Sequence, residues 1–155
     1  QSICSSFTEA KGSMFLGRGY SYPIALEGAL KLKELAYIHA EGYPAGEMKH
    51  GPLALIEDGM PVVVIAPKDE SYQKTISNMQ EVIARGAKVL LITNKSDEEV
   101  YSENIWQKIE VGNTSNDLFP FLVTVPLQKL AYYSALKKGY DIDKPRNLAK
   151  SVTVE

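Results

Sequence analysis

Two short, mainly apolar stretches stand out in the middle of the chain. Residues 61–66 (PVVVIA) and 88–93 (KVLLIT) are rich in β-branched residues, the pattern of strands covered on both faces. Between them, residues 69–85 carry the period of an amphipathic helix, closed by Gly86. This strand, helix, strand alternation predicts a mostly parallel sheet with helices on both faces, a three-layer α/β/α arrangement. Residues 13–16 read as a first short strand running into the glycine turn Gly17-Arg18-Gly19, after a helical or irregular start. A long helix is predicted over residues 24–38, with Pro23 in its first turn and Ser21 as its cap. Residues 40–51 then read as a loop with glycine, proline and histidine, and 105–111 as a strand near the sheet edge. Residues 118–138 form the last long helix, with Pro120 in its first turn, Gly139 as its stop, and Pro126 predicting a kink or a break. No repeat, low-complexity linker or heptad interrupts this single domain, and residues 139–155 trail it as a tail.

The helix over 24–38 is unusual in being apolar nearly all round. At about 100° per residue, Glu27, Lys31 and Glu34 share one stripe roughly 60° wide, with Leu26 and Leu30 on one side and Ile24 and Leu35 on the other. So narrow a charged stripe is expected to face a cleft or an interface. The alternative is an ordinary solvated pair, since Glu27 and Lys31 have the favourable i,i+4 order. Lys33, across the wheel, reads as a solvated lysine. His50 sits in the stiff, turn-rich frame GEMKHGP, in which a side chain can be aimed, whereas His39 has no such frame.

Composition narrows the class. The 155 residues suffice for one domain with a real core, and 45% hydrophobic with 23% charged residues is ordinary for a soluble protein. A formal charge of -2 gives no basic footprint for nucleic acid or an anionic membrane. No apolar run reaches the roughly 20 residues of a membrane span, and the N-terminus lacks a signal-peptide pattern, so a cytoplasmic location is expected. Cys4 is the one cysteine; it reads as a structural or incidental thiol. The chain opens on Gln1, which reads as a piece cut from a longer polypeptide. The turn at Gly17 and Gly19 has the form of a weak phosphate site, but tight-turn geometry accounts for both glycines.

Two long stretches, EGALKLKELAYIHAEGYPAGEMKHGPLALI and DIDKPRNLAKSVTVE, closely resemble the isomerase part of the glutamine:fructose 6-phosphate amidotransferases, the glucosamine 6-phosphate synthase family. The resemblance covers residues 15–155 or nearly so and corresponds to the second sugar isomerase (SIS) domain and the C-terminal tail. It implies an α/β SIS fold, flavodoxin-like, over residues 1–138, and a catalytic tail over 139–155. It also implies that the first SIS domain and the glutaminase domain lie elsewhere in a longer chain, and that the substrate phosphate is held by that first SIS domain.

The implied reaction converts fructose 6-phosphate and glutamine-derived ammonia into glucosamine 6-phosphate. On this resemblance Glu34 is the base that carries a proton between C1 and C2, with Glu27 and Lys31 positioning substrate hydroxyls and setting the charge around it. His50 helps to open the sugar ring and is donated across a homodimer interface. Lys150 engages the substrate carbonyl, with Ala149 beside it at the substrate. By composition alone Lys150 would be a solvated lysine on a loose terminus; the resemblance overturns that. Arg146 and Asn147 are expected to anchor the tail. No metal or organic cofactor is implied, since no set of ligands has metal spacing. Two other readings remain at this point. One is a regulatory SIS module that senses a phosphosugar without turning it over, and the other is a flavodoxin-like domain that only dimerises.

Overall fold

The computed structural model describes residues 3–94 and 105–146. In chain order these form α1 (Ile3–Glu9), β1 (Ser13–Gly17), α2 (Ser21–Ala36), β2 (Ala40–Pro44), β3 (Pro61–Ile65), α3 (Tyr72–Ile83), β4 (Lys88–Thr93), β5 (Gln107–Glu110) and α4 (Phe119–Lys137). Two 3-10 turns, Ala45–His50 and Pro52–Leu55, bridge β2 and β3. The five strands make one sheet in the order β2-β1-β3-β4-β5, with every neighbouring pair parallel. This is the flavodoxin-like winding, in which the crossovers reverse direction between β1 and β3 and leave a crevice beyond their carboxyl ends.

Alternation along the three central strands sorts their side chains into two cores. Phe15, Val63, Ile65, Leu90 and Ile92 pack with α2 and α4 on one face. Met14, Leu16, Val62, Val64, Val89 and Leu91 pack with α3 and the first 3-10 turn on the other. Both faces of these strands are dry, which is why their sequences are continuous apolar runs and show no alternation with polar residues. On α2 the buried side is lined by small residues, Ala25, Gly28, Ala29 and Ala36, with Leu32 among them. Small side chains let two layers approach closely: a Cβ on Gly28 would lie 3.0 Å from both Phe15 of the sheet and Leu127 of α4.

The expectations for β1, β3, β4, the edge strand β5 and all three long helices agree with these elements. Three details differ. Residues 40–51 are not a loop: Ala40–Pro44 is a strand, held in register by β1 from Ser13 opposite Ala40 to Gly17 opposite Pro44, and the 3-10 turn follows it. AEGYP has no strand signature of its own, so pairing with β1 supplies it. Second, Ser21 is the first residue of α2 and not its cap. Its N–H donates to the Arg18 carbonyl at 2.9 Å and that of Tyr22 to Gly19 at 3.2 Å, so the backbone of the tight turn does the capping. Gly17 makes that turn possible, since a Cβ there would lie 2.3 Å from the Ser21 carbonyl oxygen. Third, of the kink or break expected at Pro126 the break is absent: α4 is continuous from Phe119 to Lys137, with buried Val123, Leu127 and Leu130 on either side of the proline. Among the described residues no helix is long and apolar enough to cross a membrane.

Candidate functional site

The charged stripe on α2 assembles as its spacing requires. Lys31 Nζ donates to Glu34 Oε2 at 2.5 Å and lies 3.6 Å from Glu27 Oε1, so one ammonium bridges two carboxylates. The Lys31 and Glu34 side chains keep only 28% and 24% of their exposure, which takes this group out of the class of freely solvated surface pairs. The Glu34 hydrogen bond, followed by the charges of both acids, holds the Lys31 ammonium above its ordinary value of 10.5, and burial opposes this. Lys31 is therefore a fixed cation near neutral pH. Beside the stripe, Leu26 and Leu30 stay about two-fifths exposed, so α2 is covered on its alanine side and open on the side that carries the charges. Lys33 is exposed, as expected.

Glycine fixes the height of α2 over the sheet edge. At Gly42 of β2 a Cβ would lie 2.9 Å from the Leu26 backbone nitrogen and Cα. One turn of α2 thus rests directly on the β2 backbone, one residue before Glu27.

The crevice between β1 and β3 is bordered by Arg18, whose Nε and Nη2 donate to Asn78 Oδ1 of α3 at 3.3 and 3.0 Å. Its guanidinium fills the space above Gly46, where a Cβ would lie 2.6 Å from Nη2. Arg18 thereby ties the β1 turn to α3 and to the first 3-10 turn.

His50 ends that 3-10 turn. Its side chain is 75% exposed, with Nε2 3.9 Å from Glu47 Oε2, and the turn is anchored from below by buried Ala45 and Met48 in the α3-side core. Glu27, Lys31 and Glu34 belong to a helix on the opposite face, so the structure gathers those three and presents His50 separately to solvent. His39 pairs with Glu41 at 3.3 Å. The Tyr43 hydroxyl donates to the same Glu41, and that bond together with burial raises its pKa.

At the far end of α2 the chain turns on Tyr37, a non-glycine residue with φ 53°. Its ring meets Tyr140 edge-on at 4.9 Å and carries the Arg146 guanidinium at 4.1 Å, and its Oη accepts the Arg146 backbone N–H at 2.7 Å. Arg146 is thus an anchor of the C-terminal segment. Asn147, Ala149 and Lys150 lie outside the described residues. Tyr37 escaped the sequence reading; its signal was an aromatic residue standing where a helix end commonly has glycine.

The chain matches the SIS domain family model over residues 6–138. It is 54% identical over 155 residues to the glutamine--fructose-6-phosphate aminotransferase [isomerizing] of Bartonella henselae, covering all of this chain and 26% of that protein. With the enzyme of the same name from Bacteroides thetaiotaomicron it shares 58% identity over 153 residues, 99% of this chain and 25% of the relative. Among solved structures, the C-terminal domain of glucosamine-fructose-6-phosphate aminotransferase from Francisella tularensis superposes with a TM-score of 0.84 at 47% identity, covering 90% of this chain and 39% of the other. The chain therefore spans about a quarter of the length of these curated relatives.

Proposed function

The chain belongs to the SIS domain family, and on that premise we propose that it is the isomerase half of an amidotransferase that makes glucosamine 6-phosphate from fructose 6-phosphate and glutamine-derived ammonia. The observation that carries this reading is the half-buried Lys31 bridge between Glu27 and Glu34, set in a chain that is alike along its whole length to aminotransferases of that name.

The chemistry requires an opened ring, an imine at C2 formed with loss of water, and a base that takes a proton from C1 and returns one to C2. Glu34 is that base. The carboxylate is oriented by its Lys31 bond, and a positioned base of this kind contributes about 10²–10⁴-fold. Lys31, its ammonium held above its ordinary value by the Glu34 hydrogen bond and the two acids, fixes the charge around Glu34 and, with Glu27, meets substrate hydroxyls. Lys150 adds its amine to the C2 carbonyl and expels water; ammonia then adds to this imine and the lysine amine leaves, so the C2 imine that Glu34 isomerises carries the ammonia nitrogen, and Ala149 is assigned to the same substrate site. His50 assists ring opening in a partner's site across a homodimer interface, a reading supported by its exposure and its separation from the α2 stripe. Residues 1–138 serve as the domain and 139–155 as its catalytic tail, a division supported by a family match that ends at residue 138. The glutaminase and first SIS domains of a longer, cytoplasmic polypeptide supply ammonia and the phosphate site.

The test is Glu34→Gln in the full-length enzyme, assayed for sugar isomerisation independently of glutamine hydrolysis. A loss of at least about a hundredfold is expected; unchanged isomerisation would remove Glu34 from the role of base.

A further inference from the structure

The turn that carries His50 is gripped by one face of α3. Asn78 and Glu81 stand three residues apart, so they are neighbours on the helix surface. Buried Asn78 accepts both Arg18 donors, and the Arg18 guanidinium covers the turn at Gly46. Further along the same face, Glu81 Oε1 meets Lys49 Nζ at 2.8 Å. The two grips fall near the start and near the end of Ala45–His50, and Met48 is sunk in the α3-side core between them.

Lys49 directly precedes His50. On the other side of the histidine, Gly51 has φ 149°, and a Cβ there would meet nothing within 4 Å. Gly51 itself therefore fastens nothing, and the nearest hold on His50 is the Lys49 pair. Its acidic partner is firmly seated: the Glu81 side chain is 21% exposed, against 61% for Lys49, on a helix whose Ile76, Met79 and Val82 are buried. A pair with one partner so placed escapes much of the screening and ordering cost that make exposed pairs weak. We propose that Glu81 is a positioning residue: by fixing Lys49 against α3 it sets where the turn presents His50. It acts only through that histidine, so the proposal rests on the role in ring opening given to His50 above.

The test uses the full-length protein with Glu81→Gln, Lys49→Met and His50→Asn, and with each of the first two combined with His50→Asn. Amide exchange over residues 45–51 is expected to accelerate by about threefold to tenfold in Glu81→Gln and in Lys49→Met, since each removes the same charge-assisted contact. Sugar isomerisation should lose about tenfold in kcat, with KM kept within about twofold. In the His50→Asn background the same changes should cost nothing further, because a holder of the turn then has nothing to position. A residue that merely stabilised the domain would cost the same factor in both backgrounds. Equal losses with and without His50 would therefore overturn the proposal, as would unaccelerated exchange. Should Glu81→Gln lose folded protein by urea titration, Lys49→Met decides by the same measurements, because it alters an exposed side chain and leaves the core intact. An unchanged rate in His50→Asn would show instead that the reading of His50 is wrong. The proposal as it bears on catalysis falls with that reading, and exchange, which needs no catalysis, shows separately whether Glu81 holds the turn.

Discussion

Gly42→Ala tests whether the height of α2 above the sheet is set by the missing side chain in β2. The added methyl would lie 2.9 Å from Leu26 Cα, 2.9 Å from its nitrogen and 2.9 Å from its Cδ2. The leucine tip can rotate away, but the two backbone atoms move only if the helix does. Overpacking of this kind costs about 1–3 kcal/mol, while the smaller conformational freedom of alanine in the unfolded chain returns about 0.4–1 kcal/mol. The net expectation is a loss of about 1–2 kcal/mol, or a Tm lower by about 2–8 °C for a domain of this size. Gly112→Ala is the matched control: its nearest neighbour, Leu122 Cδ1, is 3.9 Å away, so only the unfolded-state effect operates and a gain of about 0.4–1 kcal/mol is expected. Urea unfolding of the wild type and both variants reads the difference directly. Because Glu27 follows Leu26, the displaced helix should also carry the charged stripe out of place, and, if the proposed function holds, sugar isomerisation by the full-length protein should drop more than stability alone explains. If Gly42→Ala stabilised the chain as Gly112→Ala does, the contact would not be setting the helix position.

Two further perturbations address the polar framework. The raised pKa of Lys31 means that the lysine binds its proton more tightly folded than unfolded. Its contribution to stability is therefore fully present below pH 10.5 and is lost as pH rises through the higher folded value; alkaline titration of Lys31→Met should lack that component. Asn78→Ala leaves two Arg18 donors without their common acceptor and should cost about 1.5–3 kcal/mol in urea unfolding, whereas Asn78→Asp, which keeps an acceptor, should stay close to wild type.

The parts legible in the sequence are those whose local pattern and tertiary setting agree. PVVVIA and KVLLIT announce covered strands because both of their faces really are covered, and the edge strand β5 has the mixed composition of a strand with one open side. The Glu27, Lys31, Glu34 stripe follows from helical spacing alone. Its half-burial does not, because that depends on how α2 packs against the elements around it. AEGYP becomes a strand only through its neighbour, so glycine and proline made it read as loop. Ser21 carries the right chemistry for a cap, but a tight backbone turn had already satisfied the same N–H groups. Tyr37 violates the local preference for glycine at a helix end, and its reason lies more than a hundred residues away in Tyr140 and Arg146. His50 and Lys150 took their roles from the family resemblance, since neither role leaves a periodic trace in the sequence.

The packing of α2 against both β1 and α4 also sets an order of events during synthesis. Leu32, Ala29 and Ala36 can be covered by the sheet early, but the α4 half of their surroundings is encoded about a hundred residues later. At a ribosome's pace of 5–20 residues per second, that is a wait of roughly 5–20 s. Throughout it the helix bearing the charged stripe has an uncovered apolar flank, so the segment richest in candidate chemistry is among the last to be locked into the domain.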